Sequence, residues 1–223
     1  LLGHLHWDHT YGLPFFRGGD RPDAVTRLLL PEQHVDPVEL LRRFMGPPAF
    51  PIEPDLLRGN WTFGAIDEGV HSIEGFEVLA REIPHKGGRT FGYRISDGVG
   101  SIAYLSDHGP AGAMGPGPDG SGPYHETALE LCDRVDVVIH DAQYTADELP
   151  DRIDFGHSAA EYAVELGRRS AARSVLLFHH DPDRTDDEVD ALERRLGSPG
   201  TPNVVAAREG DTIHLPDSGE GHA

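Results

Sequence analysis

The stretch Gly3-His4-Leu5-His6-Trp7-Asp8-His9 decides how this chain is read. Three imidazoles and a carboxylate packed into six residues are costly to crowd without a cation. Neutral imidazole and carboxylate are the ligand set of zinc and similar divalent metals. In an extended segment His4 and His6 point to the same side, so one metal takes both. Asp8 and His9 then lie on the following turn, within reach of a second metal. A solvent-exposed polar turn would not embed Trp7 or run on into the apolar Gly12-Leu13-Pro14-Phe15-Phe16.

Outward from this motif, short apolar runs are each closed by a polar or Gly/Pro break. Runs 27–30, 61–66, 76–83, 90–95, 101–105, 135–139, 174–178, 203–207 and 212–215 read as strands. Helical patterns fall at 37–45, 126–134, 159–169 and 186–196. Ser158 with Glu161, and Thr185 with Glu188, have capping-box spacing ahead of the last two. Strands alternating with helices indicate an α/β layered domain. Three strand ends carry further ligand types: His85 after 76–83, Asp107 after 101–105 and His179 after 174–178. Ligands from several strands meeting at one end of a sheet are how α/β scaffolds build a site. His180 competes with His179; His179 comes first after the apolar run Val175–Phe178. The Gly/Pro-rich stretch 109–123, directly after Asp107-His108, reads as a loop beside the site, and 46–54 as a second loop. His34, His71, His125, His214 and His222 read as surface residues, and Cys132 as core.

Composition narrows the class. The chain has 223 residues and a net charge of −19, which argues against a general nucleic-acid or anionic-membrane binder. Its single cysteine excludes a disulfide framework and a cysteine-based zinc site. Of the 19 basic residues only Lys86 is lysine, which fits a GC-rich coding bias. No run approaches the roughly 18 apolar residues of a membrane span. The expectation is a soluble, cytoplasmic protein with one domain over 1–223, for which a homodimer stays open.

His4-Leu5-His6-Trp7-Asp8-His9 resembles the HxHxDH signature of the metallo-β-lactamase superfamily, and His85, Asp107 and His179 match its later ligand motifs in order. The resemblance implies a four-layer αββα sandwich with two metals at one edge. Because the chain opens on Leu1 close to the motif, the N-terminal strands of that fold are expected to be missing. Residues Phe91-Gly92-Tyr93-Arg94-Ile95 and Tyr104-Leu105-Ser106-Asp107 resemble the branch that holds ribonuclease Z and the phosphonate-pathway cyclic phosphodiesterase. His140-Asp141-Ala142-Gln143 is similar to the HEAT segment of ribonuclease Z, with Asp141 where that family has Glu, and Gly156-His157-Ser158 to its HST segment. Only 22 positions separate His85 from Asp107, so the tRNA-gripping arm of ribonuclease Z is absent there.

The resemblance implies a dinuclear metallohydrolase. His4, His6 and His85 hold one metal, Asp8, His9 and His179 the other, and Asp107 bridges them. The metals are expected to be zinc, with manganese or iron as alternatives. A hydroxide shared by them attacks the substrate. His157, with Asp141 and His140 nearby, protonates or steers the leaving oxygen. The substrate expected is a small or cyclic phosphodiester rather than nucleic acid. The alternatives are a tRNA 3′-end endonuclease of ribonuclease Z type, a lactone or thioester hydrolase, and a metal-binding regulatory module. The 109–123 loop and the 47–51 segment are expected to wall the substrate pocket.

Overall fold

The structure, a computed structural model, describes residues 1–198 and 202–215. The chain divides into two compact units, 1–67 and 68–223.

In the first unit a single helical turn α1 (Trp7–Thr10) precedes strand β1 (Val25–Pro31), helix α2 (Pro37–Arg42) and strand β2 (Asn60–Ile66). β1 and β2 pair in parallel, Val25 opposite Asn60 and Pro31 opposite Ile66, so β1-α2-β2 is a crossover unit. The second half of β1 is buried on both faces, which suits a parallel strand that reads as an unbroken apolar run. Leu28, Leu30 and Leu41 form the core here, with Trp61 and Phe63 packed against them. α2 starts sharply because Asp36 accepts from the backbone N–H groups of Val38 and Glu39 and Pro37 occupies the first helical position. It ends at Arg42 rather than Met45, short of Gly46 and the prolines that follow.

The second unit is a seven-stranded mixed sheet in sequential order: β3 (Gly69–Ile73), β4 (Phe76–Ile83), β5 (Thr90–Ser96), β6 (Ser101–Leu105), β7 (Val137–Asp141), β8 (Ser174–Phe178) and β9 (Asn203–Ala206). The pairs from β3 to β6 are antiparallel and those from β6 to β9 parallel. The short α3 (Pro110–Met114) and then α4 (Glu126–Cys132) link β6 to β7, α5 (Ala160–Arg169) links β7 to β8, and α6 (Asp186–Leu196) links β8 to β9. Leu131, Leu166 and Leu192 from the three longer helices share one core with Leu105, Val138, Val175 and Val204 of the sheet. Cys132 lies in that core as expected, and burial pushes its thiol pKa up. Each unit carries a sheet with helices of its own, the α/β layering that the alternation of strands and helices in the sequence predicts. Among the described residues no helix is long and apolar enough to cross a membrane.

Three local expectations are corrected. Residues 212–215 form no strand; Leu215 instead covers Gly100, where an added Cβ would lie 2.7 Å from its Cδ1. Strand β3, not expected, is joined to β4 by Glu74-Gly75, both left-handed (φ 51° and 89°), the signature of a type I′ hairpin turn. α5 has no capping box. Its N-cap is Ala159, Ser158 Oγ donates instead to the His108 carbonyl, and Glu161 accepts from Ala146 N. The Thr185–Glu188 box of α6 is present in full.

Candidate metal centre

In the first unit the motif is extended through His6 (φ −65°, ψ 156°) and then turns into α1. The His4 ring meets His6 edge-on at 4.4 Å between centroids and His9 at 4.3 Å. His9 Nε2 lies 3.2 Å from Asp8 Oδ2. The turn is pinned by its own backbone: His9 N and Thr10 Oγ1 both donate to the His6 carbonyl, at 3.1 and 2.9 Å. All four expected donors of this motif thus sit together, His4 buried and Asp8 largely exposed.

In the second unit the sheet brings its donors to one edge. β4, β6, β7 and β8 all point the same way, because β5 is antiparallel to both β4 and β6. Their C-terminal ends therefore deliver His85, Asp107, Asp141 and His179 side by side, the placement that open α/β sheets use for sites. Asp107, Asp141, His157 and His179 present ligand atoms all within 4.8 Å of one another. His85 Nε2 is 3.6 Å from Asp107 Oδ2, and His179 Nε2 is 3.1 Å from Asp107 Oδ1. Ser106 Oγ donates to the same Oδ1 at 3.0 Å.

The surroundings set the ring states. His85 Nδ1 donates to the Gly156 carbonyl at 2.7 Å, which places the proton on Nδ1 and the lone pair on Nε2, facing Asp107. That contact needs glycine: Gly156 is left-handed (φ 86°), and a Cβ there would approach His85 Nδ1 to 2.9 Å. A Cβ on Gly109 would meet the Gly156 backbone at 2.2 Å, so the 109–123 loop starts against the site, as its position after Asp107 suggests. His179 is also left-handed (φ 56°), costly for a non-glycine residue. The side-chain amide of Gln143 lies 3.2 Å from its Nδ1. The amide Nε2 donates to Nδ1, and His179 Nε2 faces Asp107 Oδ1. His179, not His180, directs its ring at Asp107. The His180 nitrogens are buried elsewhere, and burial and then Arg184 lower its pKa.

Asp141 is fully buried and accepts four hydrogen bonds. Oδ2 takes His157 Nδ1–H at 2.8 Å and His108 N–H at 3.2 Å; Oδ1 takes Gln143 N–H at 3.1 Å and Ser158 N–H at 3.3 Å. His157 is therefore protonated at Nδ1 when neutral, which leaves the lone pair on Nε2. Its ring stacks on His179 at 5.1 Å between centroids.

His140 is not part of this group. Its Nδ1 donates to the Asp141 carbonyl at 2.7 Å, and its Nε2 lies 2.8 Å from His108 Nδ1. His108 Nε2 in turn lies 2.8 Å from His125 Nε2, and His125 Nδ1 accepts from Ala128 N at the start of α4. The Asp141 carbonyl can only accept and the Ala128 N–H can only donate. Three neutral imidazoles with protons on His140 Nδ1, His108 Nδ1 and His125 Nε2 satisfy every link. Burial lowers the pKa of all three, that of His125 to about 4. His125, read as a surface residue, is half-buried, its Nε2 turned to His108. His34 and His214 are exposed as expected, His71 is half-buried, and His222 lies outside the described residues.

Imidazole nitrogens and aspartate oxygens, the donors that each unit gathers, have the chemistry of a zinc or similar divalent-metal site. Comparison with known proteins agrees with that chemistry. Residues 1–180 match the beta-lactamase superfamily domain. The chain belongs to that family. Ribonuclease Z of Geobacillus kaustophilus is 28% identical over 222 residues, covering 80% of this chain and 68% of that protein. A diphosphatase of the PhnP family superposes with a TM-score of 0.66 at 18% identity, over 96% of this chain and 70% of its own. The metallo-β-lactamase fold protein YhfI of Bacillus subtilis does so with a TM-score of 0.64 at 16% identity, over 94% and 74%. The two superpositions show the fold, and family membership agrees with the reading of the chain as a metal-dependent hydrolase.

Proposed function

We propose that the chain is a dinuclear metallohydrolase acting on a small or cyclic phosphodiester, and that both units together make up its one catalytic domain. His4, His6 and His85 hold one divalent cation, Asp8, His9 and His179 the other, and Asp107 is shared. Two such cations, zinc in the first place, supply an activated water and neutralise charge on phosphoryl oxygens when bound.

The chain's own residues supply the rest. Asp107 brings the negative charge that two cations need between them. Asp141 holds the His157 ring by Nδ1, so that Nε2 passes a proton to the leaving oxygen as the ester bond breaks. His140 and His108 hold Asp141 in place without touching substrate. The observation that carries this reading is the buried aspartate–histidine pair beside Asp107 and His179. An ester whose leaving group departs as an alkoxide requires such an acid.

A second reading, endonucleolytic cleavage at a tRNA 3′ end, is supported by the ribonuclease Z name of the Geobacillus relative. The charge of −19 and the short 85–107 connection weigh towards the small substrate. The deciding experiment compares the metal-loaded protein on cyclic nucleotides, alkyl diesters and a tRNA precursor. Faster turnover of the small diesters supports the first reading; cleavage of the precursor alone supports the second.

A further inference from the structure

The three linked imidazoles of the second unit form a chain with one direction. Ala128 N–H donates to His125 Nδ1, His125 Nε2–H to His108 Nε2, His108 Nδ1–H to His140 Nε2, and His140 Nδ1–H to the Asp141 carbonyl. Every proton points towards Asp141, so each bond polarises the next. The two ends fix that direction, an amide N–H in the first turn of α4 and a carbonyl at the end of β7. Each link between them needs a donor on one edge and an acceptor on the other, which neutral imidazole offers. Tyr162 walls the chain. It is fully buried, its hydroxyl donates to the Pro123 carbonyl at 3.0 Å, and its ring lies 5.7 Å from His108 and 5.6 Å from His140 between centroids.

His108 is where this chain meets the aspartate–histidine pair. Its backbone N–H donates to Asp141 Oδ2 at 3.2 Å, the same oxygen that takes His157 Nδ1–H at 2.8 Å. Its carbonyl accepts from Ser158 Oγ, on the residue after His157. The backbone of His108 therefore steadies the pair from both sides, and the ring of His108 is held in turn by His125. Without the His125 proton, His108 Nε2 is an acceptor left unmet inside the core, which is costly. Moving the His108 proton to Nε2 gives no relief, because two lone pairs would then face each other between His108 Nδ1 and His140 Nε2. The ring must shift, and its backbone with it.

We propose that His125 is a positioning residue for proton transfer: through His108 it fixes the N–H that Asp141 accepts, and so the angle at which His157 is presented. The kinetic consequence rests on the reading of His157 as the proton donor to the leaving oxygen; the effect on the His157 ring does not.

The test uses the full-length, metal-loaded protein with His125→Phe, which keeps a ring and loses the donor, and His125→Gln, which keeps a donor and an acceptor. His125→Met, adaptable in shape and equally without a donor, replaces the phenylalanine if that variant does not fold. Metal content and melting temperature confirm that each variant is intact. On adenosine 2′,3′-cyclic phosphate, whose leaving oxygen needs a proton, kcat should fall about tenfold in His125→Phe, a part of the about 10²–10⁴ that a positioned general acid is worth. KM, and kcat on bis(p-nitrophenyl) phosphate, should stay at the wild-type value, and His125→Gln should restore kcat on the cyclic ester. Equal losses on both esters, no loss, or a glutamine variant as slow as the phenylalanine one overturns the proposal. A second arm needs no turnover: imidazole N–H NMR of the same proteins, read at His157 Nδ1–H and assigned by its loss in His157→Ala. His125→Phe should shift or broaden that signal and His125→Gln should leave it in place. If the wild type hydrolyses neither ester, the phosphodiesterase reading falls and this arm alone decides. An unchanged His157 signal in the phenylalanine variant overturns the proposal.

Discussion

His157 Nδ1 and Asp141 Oδ2 lie 2.8 Å apart, across 16 residues of chain, and the carboxylate that holds the ring is itself held by three backbone N–H groups. An aspartate so fully hydrogen-bonded does not swing, so the imidazole it orients is fixed as well. On the proposed reading the pair is a proton donor with a chosen nitrogen. Replacing His157 with Ala should therefore slow hydrolysis of alkyl and nucleoside diesters by about 10²–10⁴, the usual worth of a positioned general acid. It should spare bis(p-nitrophenyl) phosphate, whose leaving group departs without a proton, and leave metal content unchanged. Equal losses on both substrates, or a lost metal, would show that His157 does something else.

The ring directions of His179 and His180 make a separate prediction. His179→Ala should strip metal from the protein, because its Nε2 faces Asp107. His180→Ala should leave metal content intact while lowering stability, since its ring is buried. Elemental analysis of the two variants, each checked for folding, distinguishes them. The reverse pattern would exchange the assignments.

The chain of three neutral histidines predicts an acid-sensitive fold. An unfolded histidine takes up a proton near pH 6.5, whereas burial holds His125 down to about 4. Between those values the unfolded state binds more protons, so stability is intact above about 6.5 and falls as pH drops towards 4. Glutamine at 125 still donates to His108 but cannot titrate. In metal-free protein the melting temperature of His125→Gln should therefore fall less steeply over that window than the wild type's. An identical slope would mean that the chain does not govern acid stability.

Ser158 and Thr185 look alike in the sequence and act differently. Thr185→Ala removes a true cap and should cost about 1 kcal/mol with activity unchanged. Ser158→Ala leaves the buried His108 carbonyl without its donor, a loss of about 1–3 kcal/mol. It should also lower activity, because His108 N–H is one of the bonds that hold Asp141. Full activity and unchanged stability in Ser158→Ala would contradict that coupling.

This pair shows why some of the molecule was legible in the sequence and some was not. The ligand motif from His4 to His9 is local: its residues are adjacent in the chain, and an extended run followed by a turn brings them together in the structure. The strand ends at His85, Asp107 and His179 were legible because apolar runs that stop at a ligand are visible without knowing which strands are neighbours. The role of His108, His125 and Gln143 was not legible. Each is defined by a partner 17 to 36 residues away, and only the sheet order reveals such pairings. His140 was drawn to the active group by its place beside Asp141, yet consecutive residues of a strand point to opposite faces. Ser158 had capping-box spacing, but Glu161 is engaged by Ala146 N and Arg195 and the serine by a carbonyl 50 residues away. Strand β3 was missed because it is short and polar, although the Glu74-Gly75 turn was a signal for it.

On the proposed reading, two cations that share Asp107 at one active site carry out phosphodiester hydrolysis. That reading is tested most directly by titrating zinc into chelator-stripped, full-length protein while following hydrolysis of bis(p-nitrophenyl) phosphate. The account predicts activity that rises and saturates at two equivalents per chain, and an Asp107→Asn variant that reaches neither that stoichiometry nor that rate. Saturation at one equivalent, or a variant with normal rate and two metals, would contradict it.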